Sequence, residues 1–332
     1  MVICATAFEV RLRKQNFMVG ICAIFLVSFT LSLLQTAKRK EAKVEEQARC
    51  WELNLLLQKK IVSGMAQLGQ CCNASFWLVV TKENTPLGSY ITLDGAKNKK
   101  LRVETELLDM LPERSPFLDT SYRDCAVVGN GGILLNSSCG HEIDRADFVI
   151  RFNLAPMNFS EDVGTKTSLL TINPSIIETK FQYLLARRKP FADALYPYRD
   201  AFFLLPSFSF VGHSTLGYRA LYTMEDFGLV QQALFLNPQY LRNLSNFWRT
   251  GLQAHRLSSG FMLVSMALEF CERITLYGFW PFSHDLDNKP IPHHYYDNRK
   301  PRPGIHAMPT EFSHYLSMYS QGVLRLRLGK CQ

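Results

Sequence analysis

The sequence predicts an α/β domain built on a mainly parallel sheet. Three observations carry that expectation. Short apolar runs recur between stretches of helical spacing, turns rich in glycine and asparagine follow several of them, and one apolar segment is too continuous for an exposed helix. Residues 125–128 (CAVV) read as a buried strand entering Gly129-Asn130-Gly131-Gly132. Residues 147–152 (DFVIRF) alternate and read as the next strand, followed by 168–172 (SLLTI), 201–205 (AFFLL) and 233–236 (ALFL). Residues 261–273 (FMLVSMALEFCER) are apolar almost all round and long enough for a buried helix, after which Ile274 to Phe279 resumes as a strand. Ligands of such sheets sit beyond the carboxyl ends of the strands, where the glycine turns fall.

The 332 residues hold one large domain plus accessory segments. A hydrophobic fraction of 47%, with 23 Phe and 13 Tyr, excludes disorder for most of the chain. The net charge of +8 suits an anionic substrate, a membrane surface or nucleic acid and selects none of them. Phe17 to Leu34 is an uncharged run of eighteen residues, between Arg11, Arg13 and Lys14 on one side and Lys38, Arg39 and Lys40 on the other. That is the lower limit for a spanning helix. Its exit, Leu33-Leu34-Gln35-Thr36-Ala37-Lys38, is a poor cleavage site, which favours an uncleaved anchor over a removed signal. The expected organisation is a tail at 1–16, a transmembrane anchor at 17–34, a charged stem at 35–70 closing on a leading helix, and a globular domain at 71–332. Basic residues on both flanks leave the orientation open. Four sequons, at Asn73, Asn136, Asn158 and Asn243, and seven of the nine cysteines follow the apolar run, which favours a lumenal C-terminus and type II topology.

Four constellations carry chemistry. Gly129-Asn130-Gly131-Gly132 lets a backbone approach a phosphate or ribose, although a tight turn without ligand fits equally; the third glycine of a dinucleotide fingerprint would fall on Leu134. Asn153, after Arg151-Phe152, and Asn173, before Pro174-Ser175, sit at strand ends, where asparagine serves either pyrimidine recognition or a turn. Ser258, Ser259 and Gly260 precede the buried helix, either as a plain cap or as a cap whose N–H groups face an anion. His293, His294, His306 and His314, half of the eight histidines, fall within 22 residues. Pro309 and Glu311 mark a helix start, placing His306 on the loop leading in, where an imidazole suits general-base work. Zinc is the competing reading, but neither HExxH nor paired CxxC spacing occurs. Asp285-Leu286-Asp287 matches the D-x-D pattern that holds Mn²⁺, yet it lies between Pro281 and Pro290 in what reads as a solvated surface loop.

Together these segments resemble the animal sialyltransferases. CAVVGNGGIL through INPS (125–175) is similar to the large sialylmotif, 257–282 (LSSG to WPF) to the small one, HHYYDN (293–298) to the third, and His306 to Glu311 to the very small motif, all in the family's order over about 190 residues. GFWPF and HHYYDN resemble the α-2,8 branch. CCNAS, NTPLG and AFFLLPSFSF resemble the subgroup, type VI among them, that makes disialyl units on gangliosides and O-glycans.

The resemblance implies a GT-A-like variant Rossmann fold, a Golgi membrane location, and CMP-sialic acid as donor without a metal or other cofactor. The acceptor would be a sialylated glycoprotein or glycolipid; nucleic acid would be no partner. By position, Asn130, Asn153 and Asn173 would contact the donor, with Ser258, Ser259 and Gly260 beneath it and Trp280 lining the pocket. His294 would stabilise the departing phosphate and His306 would be the base. The implied disulfides are Cys125–Cys271 and Cys139–Cys331. Cys50, Cys71 and Cys72 leave an odd count, open to a free thiol or a disulfide-linked homodimer. Two other classes are a non-catalytic sialoglycan-binding protein on the same fold, opposed by the presence of both His294 and His306, and a nicotinamide-dependent oxidoreductase, opposed by Leu134. The acceptor surface is expected in 176–232, a region whose pattern is not decodable from sequence.

Overall fold

The structure, a computed structural model, describes residues 64–229, 233–248, 256–298 and 306–331. The expected tail, anchor and most of the stem, with Cys50, lie outside the described residues; 64–72 are helical. Strands β1 (Tyr90–Thr92) and β2 (Lys100–Arg102) pair as an antiparallel hairpin. The central sheet is formed by β3 (Tyr122–Val128), β4 (Phe148–Phe152), β5 (Leu169–Thr171), β6 (Phe202–Leu205), β7 (Ala233–Phe235), β8 (Cys271–Tyr277) and β9 (Arg325–Arg327). Its order is β7-β6-β5-β4-β3-β8-β9, and every neighbouring pair is parallel. The chain runs outward from β3 to β7 and then crosses back to place β8 on the other side of β3. The carboxyl ends of β3 and β8 therefore flank the switch point, where a doubly wound sheet opens a ligand crevice.

Beyond the helical run at 64–72, six helices of eight or more residues surround the sheet in the described regions: α1 (Pro174–Phe181), α2 (Arg188–Leu195), α3 (Val211–Asp226), α4 (Pro238–Phe247), α5 (Ser259–Phe270) and α6 (Met308–Ser320). Val127, Ile150, Leu169 and Leu204 point into a core shared with α5 and α6, while Leu170, Phe203 and Phe235 point into one shared with α1, α2 and α3. Side chains alternate across a strand, so helices on both faces bury both sets. The alternation read into 147–152 fails for this reason: all of Phe148–Phe152 is buried. Even Arg151 is only 4% exposed, with its Nε donating to Lys166 O (3.0 Å) and Thr167 Oγ1 (3.1 Å).

The expected helix 261–273 begins earlier and ends sooner. Ser258 caps α5, its Oγ accepting from Phe261 N at 3.0 Å. The chain becomes β8 already at Cys271, because Cys271 pairs in register with Tyr122 and forms a disulfide with Cys125. The second disulfide is Cys139–Cys331. Both pairings are the ones the resemblance implied. Cys71 is exposed and Cys72 buried, neither in a disulfide. Of the sequon asparagines, Asn73, Asn136 and Asn158 are exposed, while Asn243 in α4 is half-buried.

The undecoded region 176–232 holds α1, α2, β6 and α3. Helix α3 gave no signal because small residues, Ser214, Gly217 and Ala220, supply much of its buried stripe. A Cβ on Gly217 would collide with Ser207, so the helix lies close against the chain leaving β6.

At the far end of α5, Glu269 accepts from Ala74 N (2.7 Å) and Tyr240 OH (3.3 Å). Burial pushes its pKa up to about 7 against the pull of those two donors. Above about 4.5, the reference value, the unfolded chain releases this proton while the folded chain keeps it. Stability contributed at this site is therefore lost as pH rises from about 4.5 to about 7, by roughly 3 kcal/mol from 1.36 kcal/mol per pKa unit. Glu269→Gln is expected to melt higher than the parent at pH 7.5 and no higher at pH 4.5, by calorimetry at both. An equal offset at both pH values would remove Glu269 as the cause.

Candidate active site

The turn after β3 is clamped by its neighbours. Gly129 N donates to Tyr277 O (2.7 Å) and Gly131 N to Gly278 O (3.0 Å), which joins the ends of β3 and β8. A Cβ on Gly131 would meet the Gly278 carbonyl, and one on Gly132 the Pro292 carbonyl. Glycine is required here by the close passage of two backbones. The segment at 292–295 then lies over the turn, with Gly132 N donating to His293 O (3.1 Å) and Tyr295 N to Asn130 O (3.0 Å).

From this turn a ladder of asparagines crosses the strand ends. Asn130 Nδ2 donates to Phe152 O at 3.3 Å, and the next residue, Asn153, is left-handed (φ 60°). Its Oδ1 accepts from Asn173 N at 3.1 Å, and Asn173 Nδ2 lies 3.3 Å from Ser259 Oγ. Asn130, Asn153, Asn173 and Ser259, far apart in sequence, thus converge on the start of α5. Gly260 abuts the Phe279 ring just beyond β8.

Glu311 organises the helix start from below. It is 1% exposed, its Oε1 accepts from Ser258 N at 2.8 Å, and Ser258 Oγ donates to its Oε2. The Ser258 hydroxyl is thereby engaged by Glu311 and Phe261 N, while the N–H groups of Ser259 and Gly260 at the start of α5 keep their anion-binding character. Burial raises the Glu311 pKa, opposed by the two Ser258 donors and by the charge of His306.

Both candidate histidines border this arrangement. His306 precedes α6, is exposed, and pairs its Nδ1 with Arg256 O at 3.1 Å. A carbonyl accepts only, so the proton sits on Nδ1 and Nε2 of the neutral ring carries a lone pair. His294 belongs to the segment over the glycine turn and forms a bridge with Gly131. Its Nδ1 is 2.7 Å from Asp297 Oδ1 and its ring stacks on Tyr296 at 5.1 Å. Trp280, whose carbonyl borders Gly131, packs edge-on against Phe312 of α6 at 5.4 Å, connecting the glycine turn to the helix that follows His306.

Residues 79–323 match the model of glycosyltransferase family 29 (sialyltransferase). The chain belongs to that family. It is a glycosyltransferase that transfers sialic acid. Human Alpha-2,8-sialyltransferase 8F is 45% identical over 270 residues, covering 80% of this chain and 68% of that one. Alpha-N-acetylneuraminide alpha-2,8-sialyltransferase of Xenopus tropicalis is 44% identical over 268 residues (80% and 77%), and human Alpha-2,8-sialyltransferase 8E 42% over 284 (85% and 75%). Among solved structures, the crystal structure of a mammalian sialyltransferase aligns with a TM-score of 0.46 at 25% identity, over 63% of this chain and 70% of that chain.

In this sialyltransferase the histidine cluster of the sequence comes apart. His314 sits on α6 with its ring 5.8 Å from both Trp248 and Phe261, packed rather than ligating. Asp285 is spent on a turn, its Oδ1 accepting from Asp287 N (3.0 Å) and Lys289 N (2.8 Å). Among the described residues no group of three or more His, Cys, Asp or Glu is placed to hold a metal ion. Sequence reasoning missed Arg256, Asp94 and Ser209, which meet beside His306. Arg256 lies two residues before Ser258 and was within reach of notice; Asp94, in a hairpin some 160 residues upstream, carried no signal.

Proposed function

We propose that this sialyltransferase is an inverting α-2,8 enzyme that moves sialic acid from CMP-sialic acid onto the terminal sialic acid of O-glycans or gangliosides. The observation that carries it is the pairing of His306 Nδ1 with the Arg256 carbonyl beside the Ser258-capped helix, which leaves Nε2 as a base at the rim of the crevice. The α-2,8 activity named for the relatives supports the linkage.

In this reading Asn130, Asn153 and Asn173 hold the nucleotide. Ser259 and Gly260, with their N–H groups at the start of α5, face the phosphate, Ser258 and Glu311 fix that turn, and Trp280 lines the pocket. The acceptor O8 hydroxyl attacks the anomeric carbon while the bond to the CMP phosphate oxygen breaks on the opposite face, so the configuration inverts. The transition state is oxocarbenium-like, by analogy with glycoside hydrolysis. His306 Nε2 takes the hydroxyl proton, and His294 stabilises the charge that grows on the phosphate. Phosphate leaves readily, so neither paired carboxylates nor a metal is required. A Golgi membrane location with a lumenal catalytic domain fits the apolar run at 17–34 and the sequons.

The test is labelled transfer from CMP-sialic acid, in EDTA, to a monosialylated ganglioside and to a sialylated core-1 O-glycan, with linkage analysis of the product. The expected product is α-2,8-linked and forms in EDTA. A different linkage would sink the reading, and complete loss in EDTA restored by Mn²⁺ would promote Asp285 and Asp287.

A further inference from the structure

The wall beside His306 contains a cation that the mechanism above leaves idle. Arg256 Nη2 donates to Asp94 Oδ2 at 2.9 Å and to Ser209 Oγ, while the carbonyl of the same residue receives His306 Nδ1. Asp94 follows β1 in the hairpin, and the hairpin is fastened to the loop after β6 by Asp94 N to Phe208 O (3.2 Å) and Gly95 N to Ser209 O (3.0 Å). Three segments distant in sequence therefore close around one guanidinium, beside the loop that follows β6.

That guanidinium is held but not used up. It has five N–H donors, and Nη2 accounts for the contacts with Asp94 and Ser209. Nη1 and Nε meet no partner among the described residues, and the side chain is 31% exposed, so a ligand can reach it. Two further polar atoms of this wall are buried without a partner among the described residues: Asp94 Oδ1 and His213 Nδ1, the latter in the first turn of α3. Burial lowers the His213 pKa, and the charges of Glu178, Arg256 and Asp94 also act on it.

We infer that Arg256 is the specificity residue that reads the carboxylate of the acceptor's terminal sialic acid. The inference rests on the α-2,8 reading, in which that sugar brings a hydroxyl to His306 Nε2. The main-chain carbonyl of Arg256 receives His306 Nδ1, so a sugar whose hydroxyl meets Nε2 comes within about a side chain's length of the guanidinium. The planar fork matches a carboxylate with two parallel N–H donors, whereas a neutral terminal sugar offers it no anion. Asp94 and Ser209 hold the fork in place before the acceptor arrives, which lowers the ordering cost of binding. Donors from the sugar would satisfy Asp94 Oδ1.

The experiment compares one sialyl-terminated acceptor as the free acid and as the methyl ester of its terminal carboxyl. It measures kcat/KM for each with saturating CMP-sialic acid, using the full-length chain and its Arg256→Met and Arg256→Lys variants. The full-length parent is expected to prefer the acid by about 10–100-fold, the range for a hydrogen bond to a charged group. Arg256→Met is expected to bring that ratio close to one, and Arg256→Lys, which keeps the charge and the Asp94 partner but loses the fork, to an intermediate value. The preference is a ratio within one preparation, so a displaced His306 or a partly unfolded sample lowers both numbers and leaves it intact. Should Arg256→Met prove too unstable to assay, a parent-like ratio in Arg256→Lys overturns the proposal by itself. A parent-like ratio in Arg256→Met also overturns it. A parent that uses both acceptors without preference overturns it too while leaving the α-2,8 reading standing. A parent that uses neither acceptor overturns the α-2,8 reading and the inference with it.

Discussion

His306→Ala is expected to lower kcat for transfer by about 10²–10⁴-fold, the usual worth of a positioned general base, while CMP still binds. The separation of the two readouts follows from the geometry. The asparagine ladder and the α5 cap are held by Asn153, Asn173, Ser259 and Glu311, none of which hydrogen-bonds to the His306 side chain. The imidazole is exposed, so its loss leaves no cavity, and its one hydrogen bond among the described residues goes to the main-chain carbonyl of Arg256. Turnover with saturating donor and acceptor, beside calorimetric titration with CMP, measures both quantities. Turnover within threefold of the parent would remove His306 from the role of base. Loss of CMP binding alongside turnover would make it a donor-site residue instead.

The second large effect is on stability. Replacing Cys125 and Cys271 together by serine is expected to cost about 4–5 kcal/mol on the chain-entropy model for a loop of 146 residues. For a domain of this size, 1 kcal/mol corresponds to about 2–4 °C in Tm, so a fall of roughly 10–15 °C is expected in thermal unfolding followed by circular dichroism. The bond joins β3 to β8, the two strands whose ends form the switch point, at the position where Cys125 pairs with Ile274 and Tyr122 with Cys271. The strand pairing itself would survive in the folded state, because six ladder partners hold it. The loss therefore comes mainly from the unfolded ensemble, and a fall of less than about 2 °C would show that the ladder and core hold the domain without help.

Most of the architecture was legible before any coordinates. The strands at 125–128, 168–172, 201–205 and 233–236 fall where their apolar runs lie, because a strand covered on both faces needs a continuous run bounded by turn residues. The cap of α5 and the start of α6 were equally local, since a serine before an apolar helix and a proline in a first turn act within a few residues. Where the reading failed, a distant partner decided. Arg151 looked like the outward member of an alternating strand, yet Lys166 and Thr167 supply acceptors that let it stay buried. The last three residues of the expected helix became β8, because the disulfide and the register with β3 outweigh helical spacing. His314 seemed to belong with His293 and His294 until α6 turned it toward Trp248 and Phe261.

The same division holds for the candidate crevice. Which residue types are present, the glycines that let backbones touch, the asparagines that both donate and accept, the two loop histidines, was determined by the sequence alone, because each rests on the chemistry of one side chain or one turn. Their use was decided by tertiary structure. Only the parallel order of β3, β4, β5 and β8 sets Asn130, Asn153, Asn173 and Ser259 in one ladder, and only the hairpin at β1–β2 brings Asp94 to Arg256. A hydrogen bond works over about 3 Å and has no memory of chain separation, so pairings between residues 86 or about 160 positions apart leave no periodic trace in sequence.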